Sequence, residues 1–311
     1  MKKVAVIGAG TIGSSWALLF TLKGLIVSIY DLDEDNLLHA MTKIKDNMYF
    51  LYKKNMLTES KKTEALSNIK LMQDIDSAVA GAFMIQESVS ENYTVKNDVF
   101  KKVENFADSS AIIASSTSTL SVNRMQNTFS FPERFLVAHP FNPPHLIPLI
   151  EIVPGVKTSE KTTETVKTFY QEIGKEPIVV KKEVHGHIAN RLAAALWREA
   201  IDLVEQEVCS VKEIDRAISS GPGLRWALMG PHLTYHLGGG RGGIEHFLKH
   251  LGPAFEAMMK DLANWDNISE KAKQKLIKEL NEECGKENME RLAIWRDEKL
   301  IALLKLKDVE I

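Results

Sequence analysis

The residues best suited to move a proton are a histidine and a glutamate twelve positions apart. His139 closes one predicted strand and Glu151 lies in the next. The Pro-rich segment 140–144 between them can turn the chain back so that the two side chains meet. A histidine is a natural base for an alcohol proton near neutral pH, and a carboxylate can fix its tautomer and stabilise its cation. The pair predicts proton transfer, although a histidine beside a turn is more often structural.

Two further polar residues fall where a ligand is expected. Ser118 follows the predicted strand that begins at Ile112, and open α/β folds bind ligands at the carboxyl ends of their strands. Asn190 stands at the start of the helical second half and can close a site from the other side. Each residue alone is weak evidence, because a polar residue beside a turn usually serves the structure.

A glycine-rich segment near the start of the chain has the spacing that binds a dinucleotide. A G-x-G-x-x-G pattern follows a predicted strand and opens a predicted helix, with Gly8, Gly10, Thr11, Ile12 and Gly13 at its positions. The glycines let the backbone approach a pyrophosphate, and the helix N-terminus offers amide donors. Asp31, eighteen residues after Gly13, can accept from the ribose and would repel a 2′-phosphate. We expect NAD rather than NADP, with FAD as a lesser alternative.

The first half of the chain predicts a sheet that can carry these residues. Short β-branched runs alternate with helical patterns, which is typical of a mostly parallel sheet. Strands are predicted at 4–7, 26–30, 83–86, 112–114, 135–138, 149–153 and 177–180, and helical stretches at 33–67, 92–106 and 160–173. Only helical spacing follows from residue 188 onward. We predict an α/β, Rossmann-type domain over residues 1–184 and an all-α domain over 185–311.

Length, charge and cysteine content exclude several classes of protein. The chain has 311 residues, 44% of them hydrophobic and 26% charged, and a formal net charge of −2. No field favours nucleic acid or an anionic membrane surface, and no run approaches the roughly 20 apolar residues that cross a bilayer. Cys209 and Cys284 are too few for a disulfide framework. We expect a cytoplasmic protein without nucleic-acid or membrane partners, and we assign the stretch after Lys2-Lys3 to the nucleotide fold rather than to a signal peptide.

Three motifs in a fixed order resemble the L-3-hydroxyacyl-CoA dehydrogenase superfamily over nearly the whole chain. They are ASSTSTL at 114–120, AHPFNP at 138–143 with Glu151, and GHIANR at 186–191. The resemblance implies that His139 is the catalytic base, that Glu151 is its partner, and that Ser118 and Asn190 hydrogen-bond near the substrate oxygen. It further implies hydride transfer to NAD, a homodimer built through the helical domain, and a place in fatty acid metabolism.

The resemblance also assigns residues to the cofactor site. Lys96, five residues after Glu91, matches a lysine that the family places near the cofactor, and Glu91 and Ser116 are grouped with it. An exposed helix lysine is an equally good interpretation of Lys96 from the sequence alone. Ser116 departs from the family pattern, because most acyl-CoA members have asparagine there.

The segment 221–231 is a second departure from that pattern. It is longer than its counterpart in the acyl-CoA enzymes and is more similar to the branch of λ-crystallin, L-gulonate 3-dehydrogenase and L-carnitine dehydrogenase, which handles small 3-hydroxy acids. Within it, Arg225 presents a planar cation beside Trp226. Such a cation can hold a substrate carboxylate through paired hydrogen bonds, although an arginine in a loop or an interface fits the sequence equally well.

Three other signals are weaker. An aromatic enclosure for a quaternary ammonium group, which core packing explains more simply, could use Phe141, Trp197, Trp226 and Tyr235. Two histidine pairs with i, i+4 spacing lack the further ligands of a zinc site, so we predict no metal; they are His232 with His236 and His246 with His250. The glycine run at 238–243 follows no strand and is predicted to be a flexible loop.

Three functions remain open on this basis. The favoured one is NAD-dependent oxidation of the 3-hydroxyl of a small L-3-hydroxy acid such as gulonate or carnitine. The second is an L-3-hydroxyacyl-CoA dehydrogenase acting on a substrate such as 3-hydroxybutyryl-CoA. The third is a non-catalytic, crystallin-like structural protein, which the joint presence of the four catalytic candidates argues against. Both enzymatic alternatives require a small-molecule substrate.

Overall fold

The structure of the chain, a computed structural model, describes residues 2–285 and 289–307. These residues form two compact units. The first contains the chain up to Arg191 and from Leu300 onward, and the second runs from Leu192 to Lys299.

One sheet organises the first unit. Within the described residues its strands are β1 (Lys3–Ile7), β2 (Ile26–Tyr30), β3 (Ile69–Met72), β4 (Met84–Glu87), β5 (Ile112–Ser115), β6 (Phe135–Pro140), β7 (Leu149–Pro154) and β8 (Glu176–Val179). Their order is β3-β2-β1-β4-β5-β6-β7-β8, and every neighbouring pair is parallel except β6 with β7. The predicted α/β fold with a mostly parallel sheet is confirmed. The sequence analysis missed β3, a short strand that is only partly buried.

Helices connect the strands of this unit. They are α1 (Thr11–Leu22), α2 (Glu34–Lys53), α3 (Glu59–Ser67), α4 (Ile75–Val79), α5 (Tyr93–Phe106), α6 (Val122–Gln126) and α7 (Glu160–Glu172). Several begin at a side chain that accepts from an early backbone amide, as Asp33, Asn92 and Ser159 do. The predicted helical stretch 33–67 is therefore two helices, and Thr58 caps the second.

The sheet is buried on both faces, as a parallel sheet between helices requires. On β1, for example, Val4 and Val6 belong to one apolar cluster, whereas Ala5 and Ile7 belong to another. On the first face α1 is buried from Gly13 to Leu22. Its exposed N-terminus is therefore held at one edge of the sheet by an almost completely enclosed helix.

The described residues of the second unit form helices and their connections, with no strand, as predicted. Its helices are most of α8 (Ala189–Glu205), then α9 (Val211–Ser220), α10 (Pro222–Trp226), α11 (Pro231–Gly238), α12 (Gly243–His250), α13 (Gly252–Asp261) and α14 (Glu270–Cys284), and it includes the start of α15 (Met289–Leu306). Val204, Val211 and Ile214 form a small buried cluster. Nowhere in the described residues is a helix both long and apolar enough to cross a bilayer.

The prediction of a flexible loop at 238–243 is wrong. α11 ends at Gly238, a 3-10 helix covers Gly240–Gly242, and α12 begins at Gly243. The glycines are needed because the chain reverses tightly between two helices. Gly240 and Gly243 have positive φ angles, and a Cβ on Gly239 would lie 1.8 Å from the Gly243 carbonyl oxygen. Here glycine indicates close packing rather than mobility.

Candidate active site

The glycine-rich turn after β1 has the shape that a pyrophosphate needs. A Cβ on Gly8, where φ is +102°, would lie 2.7 Å from the backbone of Ser88, and a Cβ on Gly13 would lie 1.8 Å from the Gly8 carbonyl oxygen. Packing therefore requires glycine at both positions. A Cβ on Gly10 would meet none of the described residues within 4 Å apart from its chain neighbours. A ligand therefore has open space to approach the protein backbone at Gly10.

The start of α1 adds hydrogen-bond donors beside this space. The helix begins at Thr11 and has no side-chain cap, so the amides of Thr11, Ile12 and Gly13 remain available. Free amides at a helix N-terminus, together with the helix dipole, favour a bound phosphate. The turn and the helix thus fit the dinucleotide that the sequence predicts.

Asp31 directly follows β2 and lines a cleft of about 340 Å³ that also includes Gly8 and Gly10. Its Oδ2 accepts from the Ala9 amide at 2.8 Å, and its Oδ1 accepts from the Asp33 amide at 3.1 Å. These bonds fix the carboxylate, while the lone pairs that remain can accept from ribose hydroxyls. The apolar wall of the same cleft, suited to a flat base, is formed by Leu32, Val89, Val95 and Val99.

Two antiparallel strands hold the proposed proton-transfer pair. His139 on β6 and Glu151 on β7 lie directly opposite each other in the strand register. His139 Nδ1 is 2.8 Å from Glu151 Oε2. Glu151 is completely buried and His139 is 5% exposed. The two side chains that the sequence analysis expected to meet across the Pro-rich turn are in contact.

The other oxygen of Glu151 is held by backbone. Glu151 Oε1 accepts from the amides of Ile188 and Ala189, both at 2.9 Å. Burial alone would raise the pKa of Glu151, but the bonds from His139 and from these two amides lower it below its usual value. The carboxylate is therefore ionised, and the proton between the two side chains belongs on His139 Nδ1. The Nε2 atom of His139 is left as the basic nitrogen.

The segment that connects β6 to β7, the two strands that carry the pair, is held by contacts with its surroundings. The Lys175 ammonium group donates to the carbonyls of Pro144 at 2.7 Å and Ile147 at 2.5 Å. The ring of His145 lies with its Nδ1 2.7 Å from the Ser15 hydroxyl on α1. Lys175 is 6% exposed, and burial lowers its pKa from 10.5 to about 7.

Glu91 holds the loop after β5 on which Ser118 lies. Its Oε1 accepts from the amides of Ser118 at 3.0 Å and Thr119 at 3.1 Å, and from the Thr117 hydroxyl at 2.5 Å. Burial alone would raise the pKa of Glu91, but the Thr117 bond, the Lys96 charge and the two amides together lower it. The Ser118 hydroxyl lies 3.5 Å from the same oxygen, so its engagement with the protein is weak.

Lys96 is not the exposed helix lysine that the sequence allowed. It is 1% exposed, and its Nζ lies 2.7 Å from Glu87 Oε1 and 3.5 Å from Glu91 Oε2. It also donates to the Val89 carbonyl at 3.2 Å. Burial raises the pKa of Glu87, an effect that Lys96 opposes. The donors of Lys96 are therefore directed at protein groups, and one of these contacts positions Glu91.

Ser116 and Asn190 have different surroundings. The Ser116 hydroxyl accepts from Trp16 Nε1 at 3.2 Å and from Gln86 Nε2 at 2.8 Å, and it lies 2.9 Å from the Ser88 hydroxyl. Its polar atom is thus occupied by protein groups. Asn190 is the second residue of α8 and follows Ala189, whose amide binds Glu151. The sequence therefore brings Asn190 to the immediate neighbourhood of the pair.

His187 is a residue of this site that the sequence analysis missed. It is 3% exposed, its ring centroid is 5.3 Å from that of His139, and its φ is +52°. Its Nε2 lies 3.5 Å from the Thr117 carbonyl oxygen, while its buried Nδ1 has no hydrogen-bond partner among the described residues. The available signal was its position in the motif 186–191, where it stands three residues before Asn190.

Arg225 and Trp226 lie in the second unit, at the end of α10, and both are exposed. Their predicted contacts with a substrate stay predictions. Tyr235, one of the aromatic residues considered for an enclosure, has its ring 5.0 Å from Phe247 and 5.3 Å from Phe255. Core packing is therefore the better interpretation of Tyr235.

Known protein sequences match nearly the whole chain. The profile of the NAD binding domain of 3-hydroxyacyl-CoA dehydrogenase matches residues 3–184, and the profile of the C-terminal domain of the same family matches residues 186–279. An L-carnitine dehydrogenase from Oceanobacillus iheyensis is 38% identical over 306 residues, which are 98% of each chain.

Solved structures give the same pattern. A 5-formyl-3-hydroxy-2-methylpyridine 4-carboxylic acid 5-dehydrogenase, described as an NAD⁺-dependent dismutase, superposes with a TM-score of 0.85 and 28% identity over 100% of both chains. The (S)-3-hydroxybutyryl-CoA dehydrogenase of Ralstonia eutropha superposes with a TM-score of 0.67 and 27% identity, over 82% of this chain and 87% of its own.

Proposed function

This chain belongs to the 3-hydroxyacyl-CoA dehydrogenase family, and we propose that its substrate is a small free L-3-hydroxy acid of the L-carnitine kind. It is an NAD-dependent dehydrogenase that oxidises the CH–OH group of a 3-hydroxy acid to the ketone. The observation that carries the proposed chemistry is the buried His139–Glu151 pair with His139 Nε2 left basic.

The proton chemistry follows from that pair. His139 Nε2 takes the proton of the substrate hydroxyl, and Glu151 stabilises the imidazolium that forms. NAD, when bound, supplies the acceptor for the hydride that leaves the same carbon. The Ser118 hydroxyl and the Asn190 side chain orient the reacting oxygen. Ser118 is suited to this because Glu91 fixes its backbone while its hydroxyl is only weakly engaged.

The cofactor site is assembled from three parts of the first unit. The open space at Gly10 and the first amides of α1 would hold the pyrophosphate, and Asp31 would accept from the adenosine ribose. Glu91, positioned by Lys96, accepts from the Ser118 amide and so joins the cofactor site to the loop that carries Ser118. A carboxylate at Asp31 excludes the 2′-phosphate of NADP, so the preference is for NAD.

The free-acid assignment is supported by the relatives and by one feature of the sequence. L-carnitine dehydrogenase is the name of a relative that matches 98% of this chain. The longer segment 221–231 contains Arg225, whose guanidinium group can bind a carboxylate through two hydrogen bonds. A thioester has no carboxylate at that place, so an acyl-CoA would gain little from Arg225. Trp226 would shield the contact from water.

Substrate kinetics test this proposal directly. L-carnitine, L-gulonate, L-3-hydroxybutyrate and L-3-hydroxybutyryl-CoA are offered with NAD and, separately, with NADP, and NADH or NADPH formation is followed by absorbance. Turnover of a free acid with NAD is expected. Turnover of the thioester alone would refute the free-acid assignment and establish the acyl-CoA alternative. Absence of turnover with all four would favour the crystallin-like alternative.

Arg225→Met tests the carboxylate contact. Loss of a charge-assisted hydrogen bond costs about 1.5–3 kcal/mol, or roughly ten- to a hundredfold in affinity. We expect KM for the free acid to rise by that factor while NAD affinity is unchanged. Arg241→Met, another exposed arginine of the helical unit, is the matched control. Equal KM values for both variants and the wild type would remove Arg225 from the site.

We further propose a cytoplasmic homodimer, with an NAD-binding domain over residues 1–184 and a helical domain over 185–311 that supplies the dimer contact. Three large apolar side chains on α8 support this: Leu192, Leu196 and Trp197 are 62%, 40% and 58% exposed. An exposed apolar patch on a helix is typical of a protein interface. Light scattering during size-exclusion chromatography tests it, and a monomer at all concentrations would contradict it.

A further inference from the structure

Oxidation of an alcohol leaves His139 with a proton that it must lose before the next turnover. The substrate loses its O–H proton to His139 Nε2 and its C–H hydrogen as a hydride, so each turnover yields one ketone, one NADH and one proton. His139 is only 5% exposed. Its direct contact with bulk water is therefore small, and an intermediate group would speed the return of the base to its neutral form.

His187 has the position and the free atom for that task. Its ring centroid lies 5.3 Å from the ring of His139 with the planes tilted by 50°, close enough for transfer directly or through one water molecule. Its Nε2 lies 3.5 Å from the Thr117 carbonyl oxygen, which favours the tautomer with the proton on Nε2. Nδ1 is then an acceptor that is buried and without a partner among the described residues. A buried, unpaired acceptor is uncommon and calls for a functional explanation.

A cleft connects His187 with the solvent. This exit cleft, of about 360 Å³, reaches from exposed Thr119 and His185 inward to buried His187, with Tyr93, Ser121 and Glu183 also on its walls. Thr119 and Ser121 belong to the loop after β5, whereas Glu183 and His185 belong to the segment that leads to α8. A proton that reaches His187 is therefore beside a cleft that opens to solvent.

We propose that His187 is a proton relay, which accepts the proton of His139 at Nδ1 and returns it to water in the exit cleft. The first transfer breaks an N–H bond on His139 and forms one on His187; the second breaks an N–H bond of the His187 imidazolium and forms hydronium or protonated buffer, which returns His187 to its neutral form. No oxidant or further reactant is needed. The inference rests on the proposed role of His139 as base, and it holds for any 3-hydroxy substrate.

The charges around His187 suit a transient carrier. Burial and the nearby His139 lower the pKa of His187, while Glu151, the Thr117 carbonyl and Glu183 oppose this effect. His187 is therefore neutral when His139 needs an acceptor. The two carboxylates stabilise its cation during transfer, and burial then drives the proton out. Without these two carboxylates, a positive charge on either buried imidazole ring would be destabilised by the loss of solvation.

Two variants of His187 test the relay. His187→Phe keeps a ring of similar shape, and His187→Asn suits the positive φ angle; neither carries a proton. We expect kcat to fall by roughly 10²-fold, the lower end of what a positioned proton-transfer group contributes. The expected signature is recovery of kcat with added imidazole in both variants. The isotope effect of 3-deuterated substrate on kcat should also shrink, because proton release becomes slower than hydride transfer.

His39→Asn is the control, since it removes an exposed histidine on α2 that lies outside the exit cleft; its kcat should remain at the wild-type value. Circular dichroism and NAD titration by fluorescence check that each variant folds and binds. Wild-type turnover in both His187 variants would overturn the relay. So would a loss that imidazole does not restore and that leaves the isotope effect unchanged, because that pattern indicates a structural role.

The test separates the relay from the proposed substrate. It uses whichever compound the wild-type enzyme oxidises. If only an acyl-CoA is oxidised, the free-acid proposal fails, and the same variants still decide whether His187 carries the proton.

Discussion

Replacing Glu151 with glutamine should impair the chemical step more than the loss of one charge suggests. Glu151 accepts from His139 through one oxygen and from two backbone amides through the other. Glutamine has one acceptor and one donor group at these places. If its carbonyl keeps the amides, its NH₂ faces His139 Nδ1. His139 must then hold its proton on Nε2, where it cannot act as a base.

The magnitude follows from these two effects. Removing the charge forfeits a hydrogen bond to an ionised group, about 1.5–3 kcal/mol, or roughly ten- to a hundredfold in rate. Holding the wrong tautomer in a comparable histidine–carboxylate pair lowers kcat about 10⁴-fold. We therefore expect kcat of Glu151→Gln to fall by roughly 10²–10⁴-fold. The KM for substrate and the affinity for NAD should change little, because neither depends on the tautomer.

Steady-state kinetics with NAD titration measures this prediction. Glu104→Gln is the control, because Glu104 also accepts from two backbone amides, those of Ser130 and Phe131, but far from the pair in the sequence. Its kcat should remain near the wild-type value. A Glu151→Gln enzyme with wild-type kcat would refute the role of the carboxylate. A loss confined to NAD affinity would show that Glu151 acts on the cofactor site instead.

Two remaining predictions concern the glycine turn and a buried lysine. Gly10→Ala should fold normally yet bind NAD weakly. Gly13→Ala should lose thermal stability, because a Cβ on Gly13 would lie 1.8 Å from a backbone oxygen, whereas one on Gly10 has open space. Thermal melts and NAD titration distinguish the two variants, and equal behaviour of both would contradict the assignment. Lys175 keeps its proton up to about pH 7 when folded but up to 10.5 when unfolded, so its contribution to the unfolding free energy rises with pH between these values, by at most about 1.4 kcal/mol per unit. Urea unfolding at several pH values should show a flatter pH dependence for Lys175→Met, and parallel curves would refute the shifted pKa.

The fold could be predicted because its signals are local. The strand at Ile26–Tyr30 is recovered with its bounds, since a β-branched run between polar segments marks it. The glycine pattern and Asp31 have a fixed meaning once a strand and a helix flank them. β3, α4 and α6 were missed: β3 is only partly buried and carries a weaker apolar signal than its neighbours, and helices of five residues are too short for the helical period to repeat.

The pairing of His139 with Glu151 was within reach for a similar reason. A short Pro-rich connection between two strands makes them neighbours, and the observed antiparallel register places the two residues opposite each other. The amides of Ile188 and Ala189 were not within reach, because they return to Glu151 from a point thirty-seven or more positions along the chain. Backbone donors leave no mark on residue identity.

The surroundings of Lys96 and His187 show the limit most clearly. Lys96 lies on an otherwise ordinary amphipathic helix. Only the fold shows that its ammonium group is buried and forms ion pairs with Glu87 and Glu91. His187 was present in a quoted motif, but no pattern states that its ring lies against His139. Both depend on tertiary packing between segments that are remote in the sequence.

The bonds between Glu151 and the start of α8 bear on how this protein could be cut into parts. A fragment ending at residue 184 would keep the sheet. It would lack the two backbone amides that donate to Glu151, and the loss of these bonds would favour the protonated form of this buried carboxyl group. The fragment would also lack Ile301 and Leu304, which belong to the core of the first unit. A self-standing nucleotide-binding module would therefore need the chain through Arg191 and a graft of residues 300–307. The residues of this module are discontinuous in the chain. Chimaeras that exchange the two domains at residue 184 are therefore expected to be inactive.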